Sequence, residues 1–183
     1  MHWKNLSLNE LENNFNPRVS VPNFEDLLLK SKKKASTALS ILNGKIDVRY
    51  GKGSLQTLDI FGNASNDLKP IHVFIHGGYW RALDKSYHTH MASPFIKKNM
   101  VFINLNYDLC PKVNLSQIFQ EIIEAILWIY NNCVNFGGNN KNIVISGHSA
   151  GAHLASLMLS VDWTKYKLPL NIFKGAVLIS GIF

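Results

Sequence analysis

The sequence predicts an α/β fold, a mostly parallel sheet flanked by helices with an antiparallel N-terminal hairpin. Three observations carry that prediction. Short apolar, β-branched runs recur at residues 71–75, 101–105, 143–145 and 176–179. Amphipathic helical patterns separate these runs, which is the alternation of a parallel sheet covered on both faces. Ahead of them, residues 45–50 and 55–60 alternate around the turn Gly51-Lys52-Gly53, as the two arms of a hairpin do.

Residues 1–44 read as a helical preface, and residues 45–183 as the α/β domain. In the preface Phe24, Leu27, Leu28, Ala35, Ala38, Leu39 and Leu42 recur at helical spacing, and Gly44 closes the run. Pro17 and Pro22 predict an irregular path before it. After the hairpin, the strand 71–75 ends in His76-Gly77-Gly78, and residues 86–98 look helical. Asn114 suits the cap of a long helix, with Gln117 three residues on. Leu115, Ile118, Phe119, Ile122, Ile126, Ile129 and Cys133 form its apolar stripe, and Gly137-Gly138 end it. A helix over about 150–159 follows the strand 143–145, and 176–179 is the last strand.

The chain of 183 residues is long enough for one domain with a sizeable core. Hydrophobic residues make up 46% and charged residues 17%, ordinary values for a soluble protein. No apolar run reaches the length of a membrane span, and no membrane partner is expected. The start Met1-His2-Trp3-Lys4-Asn5 leads into a polar stretch, which argues against a secretory signal and for a cytoplasmic address. Cys110 and Cys133 lack metal or redox spacing and read as reduced thiols. The net charge of +7 is that of a basic soluble enzyme. Its only dense run, Lys30 with Lys32-Lys33-Lys34, has no interleaved aromatics, so no nucleic-acid partner is expected.

Gly147-His148-Ser149-Ala150-Gly151 fits G-x-S-x-G, with a strand before it and a helix after it. A nucleophilic serine must stand clear of the sheet on a turn too tight for flanking side chains, and glycine on each side removes the clashing Cβ atoms. The helix that follows directs its N-terminus at the site. His76-Gly77-Gly78-Tyr79-Trp80 follows a buried strand. Acyl transfer needs backbone N–H donors where a carbonyl oxygen becomes an oxyanion, and glycines let the main chain come close. The candidate oxyanion hole is therefore His76, Gly77, Gly78, Tyr79 and Trp80 with Ala150, the N–H groups of Gly78, Tyr79 and Ala150 being the donors. Tyr79 and Trp80 suit either an aromatic substrate pocket or core packing.

The loop His76–Trp80 with Arg81-Ala82-Leu83-Asp84-Lys85 resembles the H-G-G-x-W loop of kynurenine formamidases (arylformamidases) of the α/β-hydrolase superfamily. Gly147–Ala155, Asp162-Trp163-Thr164-Lys165, Ser180-Gly181-Ile182-Phe183, Tyr50-Gly51 and Leu58-Asp59-Ile60-Phe61 are similar to the same family. The resemblance implies an α/β-hydrolase fold and hydrolysis of N-formyl-L-kynurenine to L-kynurenine and formate, in tryptophan catabolism. It implies a small-molecule substrate, no cofactor and no metal. Composition and spacing alone give only a serine hydrolase acting on an acyl group. A carboxylesterase on small acyl esters and a non-catalytic hydrolase remnant or binding module stay open.

The triad of this fold runs Ser, Asp, His along the chain. No histidine follows His153 and no acidic residue follows Asp162. The expectation is therefore an incomplete hydrolase domain, lacking its last strands and impaired in activity, unless a homodimer or a second chain completes it. Upstream groups are poor substitutes. His148 is the neighbour of the nucleophile and points elsewhere. His153 and His72 read as packing residues, and His76 as a brace of the loop. His88 and His90 diverge on a helix-like segment, Asp108 lacks a histidine partner, and Asp162 reads as a helix-end residue.

Overall fold

Local capping decides where the chain turns helical. The computed structural model describes residues 2–62 and 67–183; Met1, the first residue of the preface, and residues 63–66 lie outside them. The preface forms helices α1 (Leu8–Phe15), α2 (Pro17–Ser20) and α3 (Phe24–Ile41). The early part is thus helical where proline predicted irregular chain. Ser7 and Glu10 explain it: Glu10 N–H donates to Ser7 Oγ at 3.3 Å and Ser7 N–H to Glu10 Oε2 at 2.8 Å. Asn16 then caps α2, and Pro17 stands where no helical N–H is needed. Of the α3 stripe, Ala35 and Ala38 are buried, whereas Leu27 and Leu39 stay exposed.

Six strands form one sheet: β1 (Gly44–Arg49), β2 (Thr57–Phe61), β3 (Lys69–Ile75), β4 (Val101–Leu105), β5 (Gly138–His148) and β6 (Phe173–Ile179), in the order β1-β2-β4-β3-β5-β6. β1 and β2 pair antiparallel, as do β2 and β4. β4, β3, β5 and β6 run parallel, with Val73 opposite both Ile103 and Ile145. The second arm of the hairpin starts at Thr57, later than its alternation predicts, because Tyr50 N–H closes the turn onto Gln56 O at 3.2 Å.

Residues 86–98 are not one helix. Two 3-10 turns, Lys85–Tyr87 and Thr89–Met91, lead into the short helix α4 (Ala92–Lys97). Pro94 has no N–H to give the His90 carbonyl, so a continuous α-helix would lose that bond. Helix α5 (Leu115–Asn132) starts on the expected Asn114–Gln117 box, both bonds at 2.9 Å. Its buried stripe holds Ile118, Ile122, Ile126 and Ile129, while Leu115 is exposed. A 3-10 turn, Cys133–Phe136, and Gly137 at φ 78° carry the chain into β5. Helix α6 (Ala150–Ser160) follows β5 directly.

The two sheet faces carry different cores. Leu58, Val73, Ile75, Ile103 and Ile145 pack with α5 and α6 on one face. Phe61, Phe74 and Phe102 pack with Ala92 and Phe95 on the other. β6 is the outer strand, and Val177, Leu178 and Ile179 on it are exposed. Among the described residues no helix is long and apolar enough to cross a membrane.

A buried ion pair ties the hairpin to the segment after His76–Trp80. Lys85 Nζ lies 2.6 Å from Asp59 Oδ1 and 2.7 Å from Asp47 Oδ1. A bulge in β1 at Asp47, with φ 55°, sends its N–H onto Asp59 Oδ1 at 2.9 Å. The side chains of Lys85 and Asp59 are 8% and 3% exposed, so removing one charge strands the other in the interior. Lys85→Met is expected to cost about 3–5 kcal/mol in urea unfolding, and Lys85→Met with Asp59→Leu to recover most of it.

Candidate active site

Strand β5 delivers Ser149 to the sheet rim, and α6 begins at the next residue. Ser149 sits at φ 54°, ψ −119°, a backbone conformation that costs a non-glycine residue roughly 1–3 kcal/mol. The surroundings hold it there. Its N–H donates to Ile179 O at 2.9 Å, and its carbonyl accepts from Ala152 N–H at 2.9 Å and His153 N–H at 3.1 Å. A Cβ on Gly151 would collide with the main-chain carbonyls of Ile75 and His76. The glycine therefore lets α6 press against the end of β3. Ser149 itself is half-buried, open to the surface at the turn.

The segment after β3 lies against that serine. A Cβ on Gly77 would stand 2.7 Å from the His148 carbonyl oxygen and 3.2 Å from Ser149 Cβ. Gly78, Tyr79 and Trp80 then take positive φ values of 113°, 57° and 59° in succession. Arg81 N–H and Ala82 N–H close the turn onto Gly78 O at 3.1 and 3.0 Å. Among the described residues, the N–H groups of Gly78, Tyr79 and Ala150 donate to no other group of the chain. Free amides beside a helix N-terminus attract developing negative charge.

His76 is fully buried and fixes the start of this segment. Its Nδ1 is 2.7 Å from Gly77 O and its Nε2 is 3.0 Å from Asn106 Oδ1. Burial pushes this imidazole below its ordinary range, so the ring is neutral and carries one N–H. Both neighbours are oxygens, so that N–H donates to one of them, Gly77 O or Asn106 Oδ1. Tyr107 stacks on the ring at 4.4 Å and donates its hydroxyl to His76 O at 2.9 Å. Sequence reasoning missed Asn106 and Tyr107. Their signal was position alone, just past the end of a buried strand.

Trp80 is half-buried and meets His153 edge-on, with ring centroids 5.2 Å apart. Tyr79 is 63% exposed and packs against Trp80 at 5.3 Å. Tyr79 therefore does not belong to the core, and its ring is free to meet a ligand.

Ser149 Oγ, by contrast, has no partner: among the described residues no side chain hydrogen-bonds to it. His148 is exposed. His153 lies against Trp80, with Nδ1 buried and unpaired. His72 is held by Ser146 Oγ at 2.7 Å and stacked on Phe95 at 4.0 Å. Asp108 accepts from Leu55 N–H at 2.9 Å and Ser54 Oγ at 3.1 Å. Asp162 caps a turn through Thr164 N–H at 3.2 Å. His88 lies between the two 3-10 turns and His90 in the second, and the described residues hold no cluster of metal-ligating side chains.

Residues 58–172 match the family model BD-FAE. The chain is 32% identical to the kynurenine formamidase of Salmo salar over 99% of its own length and 62% of that protein. It is 31% identical to the kynurenine formamidase of Danio rerio, again over 62% of the relative. The chain thus spans less than two-thirds of these curated relatives. It is similar in structure to a proposed thioesterase of Silicibacter sp. tm1040, with TM-score 0.79 and 28% identity over 94% of this chain and 63% of that one. Esterase B of Lactobacillus rhamnosis shares the fold at TM-score 0.66 and 20% identity, over 84% of this chain and 55% of that one.

Strand β3 carries His72, and His76 follows its last residue; the neutrality of both makes stability depend on pH. Burial holds His72 down to about 4, against 6.5 for the free side chain. Between those values the unfolded chain binds a proton that the folded chain does not, so stability falls as pH falls. Unfolding free energy is expected to drop by about 2 kcal/mol from pH 7 to pH 5 through His72 alone. Urea titrations at both pH values check this, and His72→Gln should flatten the difference.

Proposed function

The chain belongs to the BD-FAE family of α/β-hydrolases, and on that premise we propose that it is a serine hydrolase of the arylformamidase type acting through Ser149. Ser149 Oγ attacks the formyl carbon of N-formyl-L-kynurenine and gives its proton to a base. The carbonyl oxygen becomes an oxyanion that accepts from the N–H groups of Gly78, Tyr79 and Ala150. The C–N bond breaks, the aryl amine leaves with the proton, and water clears the formyl-enzyme to formate. Trp80 and Tyr79 receive the aryl ring. The observation that carries this reading is the approach of the Gly77 main chain to Ser149 Cβ beside three unengaged amides.

The substrate follows from similarity to the two fish kynurenine formamidases. A carboxylesterase on small acyl esters is the second reading, supported by 31% identity to an isoprenylcysteine methylesterase of Arabidopsis thaliana over 63% of this chain and 27% of that one. The base is the part these residues do not supply, since no described histidine hydrogen-bonds Ser149. Loss of the base in a serine protease costs on the order of 10⁶ in kcat.

Residues 1–183 alone are therefore expected to hydrolyse N-formylkynurenine and p-nitrophenyl acetate barely above a Ser149→Ala control. A fluorophosphonate probe is expected to label the native chain slowly and that control not at all. Robust turnover that disappears in Ser149→Ala would mean that an upstream residue acts as base. Protection from labelling by N-formylkynurenine, and not by simple esters, favours the formamidase reading over the esterase one.

A further inference from the structure

A concave site that does not include Ser149 lies on the β1–β2 hairpin. A cavity of about 500 Å³ separates α3 from the hairpin and from the turn after Asp84. Its floor is one face of the hairpin. Arg49 pairs with Thr57, and Asp59 stands two residues further along the same strand, so Arg49 and Asp59 share that face. Such diagonal neighbours are about 7–8 Å apart. Both line the cavity.

The charges there are of both signs, and some are unspent. Lys85 neutralises one of the two carboxylates it touches, which leaves Asp47 and Asp59 together with one net negative charge. Asp59 engages Lys85 and Asp47 through Oδ1 only. Its burial raises the carboxyl above its usual range, a shift that an incoming cation would oppose. On the opposite side, Arg49 bonds Gly53 O at 3.1 Å through one nitrogen and forms no ion pair among the described residues. Lys32 on α3 adds a second cation, resting over the Tyr87 ring. Leu39 on α3 gives the cavity an apolar wall.

We infer that this cavity binds a free α-amino acid with an apolar side chain, the ammonium meeting Asp59 and the carboxylate meeting Arg49, with the side chain against Leu39. The ammonium and the carboxylate of an α-amino acid are both carried on one carbon, which suits opposite charges held on one sheet face. A guanidinium grips a carboxylate through two parallel bonds. A monovalent anion or a simple amine would satisfy only half of the floor. Lys85, which anchors the cavity, directly continues the segment that begins at His76, so occupancy would stiffen the chain leading to Ser149.

Isothermal titration of the native chain with L-phenylalanine, 3-phenylpropionate and phenethylamine tests the inference. Saturable binding of L-phenylalanine in the millimolar range is expected, with both single-charge analogues weaker by about tenfold. Arg49→Gln is expected to weaken L-phenylalanine about tenfold, and Leu39→Trp to abolish it by filling the cavity. Both substitutions fall on exposed residues, so folding is retained. No saturable binding up to about 10 mM, equal affinity for the analogues, or indifference to both variants would overturn the site. Titration reads binding and not turnover, and repeating it on Ser149→Ala separates failure of this site from failure of the nucleophile.

Discussion

The close approach of two main-chain segments at the sheet rim is the constraint on which the rest of this structure depends. Gly77 and Gly151 are the contact points: one brings the segment after β3 against Ser149, the other brings α6 against the end of β3. Neither approach leaves room for a Cβ. Ser149 pays for its position in backbone strain, and β5, α6 and the Ile179 carbonyl together over-determine it. Parallel pairing of β3 with β5 sets the register, Ile75 opposite Gly147, that puts both turns at the same height.

A second layer holds that geometry from behind. His76, Asn106 and Tyr107 are buried polar groups, and each finds a partner in the others or in the main chain. Satisfied networks of this kind rigidify what they touch, because an unpaired member costs more than the bond is worth. Lys85 performs the same service at the other end of the segment, anchored to Asp59 on β2 and Asp47 on β1. The antiparallel hairpin thus supports the site even though it contributes none of the candidate donors.

Much of the fold and part of the candidate site's geometry were legible in the sequence, for identifiable reasons. Strands β3 and β4 and helix α5 announce themselves through strong periodicity and an unambiguous cap at Asn114. Ser149 and Gly77-Gly78 are legible because local chain geometry, which a motif encodes, is what they supply. The Asp59–Lys85 pair was not legible: the partners are far apart in sequence, and a lone aspartate in an alternating strand looks like a solvent-facing residue. The same holds for Asn106 beneath His76. Residues 86–98 misled because their apolar spacing outweighed one missing N–H at Pro94.

The two halves of a serine hydrolase site differ in how they are built, and on the reading proposed for Ser149 the described residues supply only one of them. Anion-stabilising amides come from short-range features: a glycine-rich turn, a helix start and the register of adjacent strands. Each such donor is worth about 3 kcal/mol to an acyl-transfer transition state. Proton transfer needs a histidine brought to within hydrogen-bonding reach of the serine, with a third group to orient it. No such histidine stands among the described residues, although seven are present in the chain. Their positions explain why. His72 and His76 are buried and pushed towards the neutral form, His76 is committed to the loop, and His153 is packed under Trp80. A histidine that braces a strand end or fills an aromatic contact is fixed by that contact, and cannot also swing to the nucleophile. On the proposed reading, these residues supply the groups that would hold a tetrahedral anion and not the base that would help to produce one.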